Sequence, residues 1–163
     1  MKIFLAGSFH TVEQEERLRR IYDTLEDNNY DVFWAPEEVE RGYELDDYQT
    51  MEENFEIELE AILDSDVLLA VMERGTIGTS IELGLPKVVD FIYSKTADSL
   101  NIDMDIDTPY VLCYTVPGSE GDTHPDFESS SFEVVVDDVV KDPESILDVL
   151  YEYELESEEQ IEL

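Results

Sequence analysis

Short apolar runs alternate along this chain with segments in which apolar residues recur every three or four positions. The runs KIFLAG, YDVFWAP, DVLLAVM, PYVLCYT and SFEVVVDD each predict a β-strand. DVLLAVM is apolar throughout, which is typical of a central parallel strand covered on both faces. The alternation of strands and helices predicts an α/β fold, an open and doubly wound five-stranded parallel sheet with helices on both faces.

The first predicted helix has clear signals at both ends. Thr11 and Gln14 have the spacing of a capping box, and Asn28 with Asn29 marks the end of the helix. Its apolar residues recur at helical spacing and are expected to face the sheet: Leu18, Ile21, Tyr22 and Leu25.

Three further helices are predicted downstream. One covers 51–62, and a second runs from 79 to about 94, where Pro86 is expected to bend it. The last begins near Asp142, with Pro143 at its first position. The helix over 51–62 is expected to bury one apolar stripe: Met51, Phe55, Leu59 and Ile62.

Length and charge limit the classes of protein that fit. With 163 residues, we expect a single domain over 1–155, followed by an acidic tail over 156–163. The 43 acidic and 9 basic residues give a net charge of −34, which repels the phosphates of a nucleic-acid polymer. Such self-repulsion is best tolerated in concentrated salt, so we expect a halophile's protein.

The apolar content points to a cytoplasmic protein rather than a membrane or secreted one. No window reaches the roughly 20 apolar residues of a membrane span, so no membrane association is expected. The single cysteine, Cys113, lies in an apolar run and is interpreted as a buried thiol rather than a nucleophile or metal ligand.

Candidate chemistry lies where the first and third predicted strands end. Ligands of such sheets bind beyond the carboxyl ends of the strands. The first strand delivers Gly7, Ser8 and Phe9 to this edge, and the third delivers the segment GTIGTSIELG. In that segment Gly78 lets backbone approach a ligand, and Thr79 places a hydroxyl beside the free amides of a helix start.

The acid in this segment, Glu82, has two interpretations. It stands in the expected first turn of the helix, where the helix dipole favours its ionised form, so it is either a capping acid or a functional one. Other polar or aromatic residues near the expected site have simpler interpretations. His10 is interpreted as a surface residue, and Phe33 and Trp34 as core residues rather than stacking partners of a base.

Two segments resemble a known family. IFLAGSF at the start and DSDVLLAVMERGTIGTSIELG from Asp64 to Gly84 are similar to the nucleoside 2-deoxyribosyltransferases and their relatives that hydrolyse deoxynucleoside monophosphates. The resemblance implies a flavodoxin-like, Rossmann-like fold and makes Glu82 the nucleophile. It also implies a homodimer or higher homo-oligomer in which a neighbouring loop completes the site. His124 lies in the corresponding long loop and is a candidate for contact with substrate.

A second acid is needed to protonate the departing base, and its pKa must exceed that of the nucleophile. In the resembled family this is often an aspartate on the preceding helix, and the matching position is Glu58. Glu52 also borders the apolar stripe and remains an alternative.

The resemblance also bears on the substrate. Thr76 stands where transferase relatives tend to have an acid and nucleotide-hydrolysing relatives a small hydroxyl residue. A threonine does not repel phosphate, so a 5′-monophosphate is favoured, with Arg74 as a possible phosphate partner.

The sequence therefore predicts an enzyme that cleaves the N-glycosidic bond of a small deoxynucleoside or deoxynucleotide through a covalent intermediate on Glu82. It predicts no metal and no organic cofactor, since the two histidines have no metal spacing and a carboxylate pair suffices for the chemistry. The alternative is a nucleotide-sensing module without catalysis on the same fold.

Overall fold

The computed structural model describes residues 1–38, 48–73, 77–100, 107–117 and 134–161. These residues form five strands and five helices in the order β1 (Lys2–Gly7), α1 (Val12–Asp27), β2 (Asp31–Phe33), α2 (Ala35–Glu38), α3 (Tyr48–Leu63), β3 (Val67–Met72), α4 (Ile77–Leu100), β4 (Tyr110–Thr115), β5 (Asp138–Val140) and α5 (Glu144–Ile161).

The sheet has five parallel strands in the order β2-β1-β3-β4-β5, so the predicted fold class is confirmed. The register aligns Leu5 of β1 with Leu69 of β3, and Leu69 with Leu112 of β4. Every residue of β3 is buried, as its continuous apolar sequence predicts for a central strand. The order reverses between β1 and β3, and this point of a doubly wound sheet is where ligands bind.

Each face of the sheet has its own core. On one face, Leu18 of α1 and Leu150 of α5 pack with strand side chains such as Leu5 and Leu69. On the other face, Ile62 of α3 and Leu83 of α4 belong to a second core with strand residues. Cys113 lies in this second core, fully buried, and burial raises the pKa of its thiol to about 12. The interpretation of Cys113 as a buried thiol is confirmed.

Helix α1 agrees with its predicted end signals. The Thr11 hydroxyl accepts a hydrogen bond from the Gln14 backbone N–H, and the Gln14 side chain accepts one from the Thr11 backbone N–H. At the other end, Asn29 has a φ of 66°, a left-handed conformation that asparagine tolerates better than most residues.

Several predicted elements have different bounds in the structure. The second strand, predicted from the run 30–36, ends at Phe33 because a short helix begins at Ala35, and α3 is longer than predicted at both ends. The fifth strand, predicted from the run 131–138, is Asp138–Val140, because pairing with β4 begins where the Asp137 backbone N–H donates to the Val111 carbonyl. Helix α4 begins at Ile77, two residues before the predicted start, and continues to Leu100 with Pro86 inside it. Helix α5 runs to Ile161 and so includes most of the acidic segment 156–163.

The predicted stripe of α3 is wrong at Phe55. Ile62 is buried, but Phe55 is half exposed. The turn with Ala61 and Ile62 reaches the sheet core, whereas Phe55 lies two turns earlier and belongs to neither core among the residues that the structure describes. Of the other stripe residues, the Met51 side chain lies outside the described part of the structure. None of the described helices combines the length and apolar content needed to cross a membrane.

Candidate active site

A cavity of about 420 Å³ opens at the carboxyl ends of β1 and β3, beside the point where the strand order reverses. We call it the carboxylate cavity, because Glu58 from α3 and Glu82 from α4 both line it. Its remaining wall comes from β1 and the following loop, from the end of β2 with α2, and from the first turn of α4: Phe4, Leu5, Ala6, Gly7, Ser8, Phe9, His10, Trp34, Ala35, Pro36, Gly78 and Thr79.

Glu82 is largely buried in this cavity, and its environment favours the neutral acid. Burial raises the pKa of Glu82 to about 7, and the negative charge of Glu58 adds to the effect. The sequence predicted the opposite direction, from a dipole acting in the first turn of the helix. Because α4 begins at Ile77, Glu82 lies in the second turn, where the dipole is weak and burial dominates.

Of the two acids considered as the partner of Glu82, the structure places Glu58 in the cavity. Glu58 is half-buried and lines the carboxylate cavity, whereas Glu52 is exposed and does not. Because the charge of Glu58 adds to the raised pKa of Glu82, ionising one of the two carboxyl groups disfavours ionising the other, and near neutral pH the pair readily holds one proton. Such a pair can provide one acid and one base in the same cavity.

The loop after β1 forms the part of the wall that the sequence assigned to it. Gly7, Ser8 and Phe9 all line the cavity. A Cβ on Gly7 would lie 2.6 Å from the Leu18 Cδ2 atom, so a larger residue there would force the buried Leu18 side chain of α1 to shift. Close packing against α1 thus explains this glycine without any ligand.

The sequence assigned His10 to the surface, and the structure agrees with that assignment only in part. The side chain is exposed, but it also lines the cavity next to the Phe9 ring, with the two ring centroids 5.8 Å apart. The sequence signal that could have placed His10 in the cavity wall was its position, since it directly follows Ser8 and Phe9 in the loop after the first strand.

Trp34 has the core role that the sequence predicted and also forms a wall of the cavity. It is 1 % exposed and packs against Tyr22, with ring centroids 5.5 Å apart. The Arg19 guanidinium lies 4.6 Å from the centre of the Trp34 ring. Trp34 Nε1 is buried and has no hydrogen-bond partner among the residues that the structure describes. Phe33 stacks on Phe4 at 5.3 Å, which also agrees with core packing.

The start of α4 completes the wall. Thr79 is buried and lines the cavity, and Gly78 is exposed at its edge. No heavy atom of the described chain lies within 4 Å of where a Gly78 Cβ would be, so a ligand has room to approach the backbone there. The other predicted contacts, Arg74, Thr76 and His124, lie outside the described residues.

Solved structures share this architecture. A 2-deoxyribosyltransferase from the psychrotolerant bacterium Bacillus psychrosaccharolyticus matches with a TM-score of 0.60 and 19 % identity, over 90 % of each chain. A conserved protein from Enterococcus faecalis V583 matches with a TM-score of 0.58 and 15 % identity, over 91 % of this chain and 95 % of the other. No family model and no curated protein matches the sequence. At these identities the likeness shows a shared fold.

Proposed function

We propose that this protein cleaves the N-glycosidic bond of 2′-deoxynucleosides or their 5′-monophosphates, with Glu82 as the nucleophile. The observation that supports this most directly is a buried carboxyl group, Glu82, paired with Glu58 in a cavity at the topological switch point. The fold shared with a 2-deoxyribosyltransferase agrees with it.

The reaction needs both carboxyl groups in different protonation states. The Glu82 carboxylate attacks C1′, and the electrons of the C1′–N bond leave with the base, which takes a proton from Glu58. Water or a second base then attacks C1′, releasing the Glu82 carboxylate, while Glu58 takes up the proton of the attacking group. In the reactive form the pair holds one proton, on Glu58, so that the Glu82 carboxylate can attack and Glu58 can protonate the departing base.

The raised pKa of Glu82 has a consequence for this scheme. With a pKa of about 7, a large share of Glu82 is neutral at neutral pH and cannot attack. Substrate binding therefore has to move the proton from Glu82 to Glu58, because raising the pH alone would ionise Glu82 and leave Glu58 without a proton for the departing base. Positive charge developing on the sugar in the transition state favours the ionised carboxylate beside it.

The remaining candidate contacts hold the sugar and the 5′ end. Gly7, Ser8, Phe9, Gly78 and Thr79 line the carboxylate cavity and are proposed to contact the deoxyribose. We assign Arg74 and Thr76 to the 5′-phosphate, and His124 to contact from a neighbouring subunit. No metal or organic cofactor enters this scheme.

The direct test is a panel of deoxynucleosides and their 5′-monophosphates incubated in potassium chloride, with chromatography of released or exchanged base. We expect turnover by the wild type, loss of more than about 10⁴-fold in Glu82→Gln, and loss of about 10²- to 10⁴-fold in Glu58→Gln. Glu52→Gln is the matched control and is expected to retain activity, because Glu52 lies outside the cavity.

The panel also separates this proposal from the nucleotide-sensing alternative. Saturable binding of a monophosphate without any release of base would contradict catalysis and favour a sensor. Adding a second free base distinguishes transfer from hydrolysis, since exchange of base appears only if the second base attacks C1′.

We also propose that two copies of the chain associate through the outer surfaces of α3 and α4. Large apolar side chains are exposed there, including Phe55 on α3 and Phe91 and Ile92 on α4. An apolar surface of this kind marks an interface. With a net charge of −34, copies of the chain approach each other most easily where the contact surface is apolar.

The same net charge leads us to propose a halophilic, cytoplasmic protein whose free energy of unfolding rises with salt. Molar potassium chloride shortens the screening length to about 3 Å and so weakens repulsion among the acidic side chains. Equal stability in dilute buffer and in molar potassium chloride, measured by urea unfolding, would contradict the halophilic assignment.

A further inference from the structure

A second cavity of about 480 Å³ lies between α1 and α5, on the sheet face opposite to α3 and α4. We call it the arginine cavity, because Arg17 and Arg20 of α1 both line it. It shares no lining residue with the carboxylate cavity among the residues that the structure describes. Its volume falls within the range of small-molecule binding sites, roughly 300 to 1,000 Å³.

Two guanidinium groups in one cavity are unusual for a chain with only 9 basic residues. Arg17 is already engaged, since its NH1 lies 2.9 Å from a Glu73 carboxylate oxygen and its NH2 lies 3.3 Å from one of Glu13. Arg20 is used differently. Its Nε donates to the Glu16 carbonyl, and its two terminal nitrogens have no partner within the described ranges. Arg20 therefore has donors available for a ligand.

Tyr114 supplies a second unused polar group. The residue is 4 % exposed and lines the arginine cavity, yet its hydroxyl has no hydrogen-bond partner in the part of the chain that the structure describes. Burial raises the pKa of Tyr114; the charge of Arg17 acts against that rise, those of Glu144 and Asp142 add to it, and that of Arg20 acts against it more weakly. A tyrosine hydroxyl at a cavity wall can donate a hydrogen bond to an acceptor atom of a bound ligand.

The rest of the wall is mostly apolar. Ile21 and Leu25 of α1 face Ile146 and Leu147 of α5 across the cavity. Glu144 lines it too, at the start of α5, and repels an anion from that end. An anionic group therefore fits on the α1 side, and an apolar body fits between the two helices.

We propose that the arginine cavity binds a small organic anion, with its carboxylate or phosphate on Arg20 and the Tyr114 hydroxyl and its apolar body between α1 and α5. The two terminal nitrogens of a guanidinium match the two oxygens of either group in a bidentate contact. This site is independent of the activity proposed for Glu82, because it lies in a different cavity on the other face of the sheet.

The test uses phenyl phosphate, benzoate and neutral benzyl alcohol as probes, at one fixed salt concentration. Binding is followed by the methyl resonances of protein labelled at isoleucine δ1 carbons. We expect saturable shifts of Ile21 and Ile146 with at least one of the two anions, and none of Ile62, which lies in the core on the other face. Benzyl alcohol should bind at least about tenfold more weakly. A stronger effect of phenyl phosphate or of benzoate identifies the preferred anionic group.

Variants separate this proposal from simple apolar binding. Arg20→Gln should weaken anion binding by about tenfold or more, and Tyr114→Phe, which removes only the hydroxyl, by about fivefold. Lys95→Gln on α4 is the matched control, with the same change in charge on the other face, and should bind as the wild type does. Unchanged affinity in Arg20→Gln, equal affinity for benzyl alcohol, or no saturable shift of Ile21 and Ile146 would overturn the proposal.

Discussion

The two faces of the sheet are covered to different extents. The α1–α5 face has the larger core, and the apolar residues along α1, such as Leu18 and Leu25, are buried in it. On the α3–α4 face, the described residues of the two helices that belong to the buried core cluster are Ile62 and Leu83, and Ala97 of α4 is also buried. The large apolar side chains that these two helices leave exposed are Phe55, Ile57, Leu63, Ile81, Val88, Phe91, Ile92, Tyr93 and Leu100.

The difference indicates a division of tasks between the faces. The α1–α5 face contains the larger buried core, which stabilises the sheet. The other face provides both carboxyl groups of the carboxylate cavity, Glu58 and Glu82, from helices that also leave large apolar side chains exposed. An interface formed on these helices would therefore adjoin the proposed active site, and changes on the two faces should have different consequences.

The largest effect is expected from a charge on the apolar outer surface. Phe91→Glu places a carboxylate on the proposed interface and should prevent association, because burying an unpaired charge is strongly unfavourable. Light scattering after gel filtration is expected to show an oligomer for the wild type and a monomer for the variant. Tyr151→Glu on α5 is the control, since Tyr151 is 60 % exposed and Phe91 61 %. A monomeric wild type would refute the interface.

The next largest effect is expected on the stability of the protein, from a change on the α1–α5 face. Leu150 is fully buried between α5 and the sheet, so Leu150→Ala should lower the free energy of unfolding by about 2 to 5 kcal/mol. Phe91→Ala on α4 should lower it by less than about 1 kcal/mol when both are measured by urea unfolding of dilute protein, in which subunits are dissociated. Equal losses would show that the two faces are equally packed.

A smaller and pH-dependent effect is expected at Glu82. Its folded-state pKa of about 7 exceeds the ordinary value of 4.5, so wild-type stability falls as pH rises from about 4.5 to 7 and the buried group ionises. Glu82→Gln avoids this cost. It should be more stable than the wild type at pH 8, by on the order of 3 kcal/mol at most, and equally stable near pH 4.5. Urea unfolding at both pH values measures this.

Glu60→Gln, an exposed change on α3, provides the control for that pH dependence. It should alter stability little at either pH. A Glu82→Gln protein with no gain at pH 8 would show that Glu82 is not buried as described. A gain together with lost activity is the pattern expected where a catalytic group costs stability.

The fold could be predicted from sequence because its strands are marked by composition. The fully apolar β3 and the capping box of α1 are strong local signals, and both agree with the structure. The edge strand β5 was misplaced because three consecutive valines at 134–136 precede it, while pairing with β4 determines where the strand begins. Pairing between distant segments is not encoded in a local apolar run.

The candidate site could be predicted less completely. Glu58 and Glu82 were found through a family resemblance and helical spacing, and the structure brings both into one cavity. The direction of the Glu82 pKa shift was missed, because it depends on burial by distant segments rather than on position in a helix. His10 and Trp34 were also missed as wall residues, since each was weighed alone and the cavity forms only when β1 and β2 lie side by side.

The central claim is that the Glu82 carboxylate bonds to C1′ of a deoxyribosyl group. The most direct measurement is mass spectrometry of protein quenched in acid during turnover, followed by peptide mapping. We expect one deoxyribosyl group on the peptide that contains Glu82, and no such adduct in Glu82→Gln. Release of base at an unchanged rate by Glu82→Gln, or an adduct on a different residue, would contradict the claim.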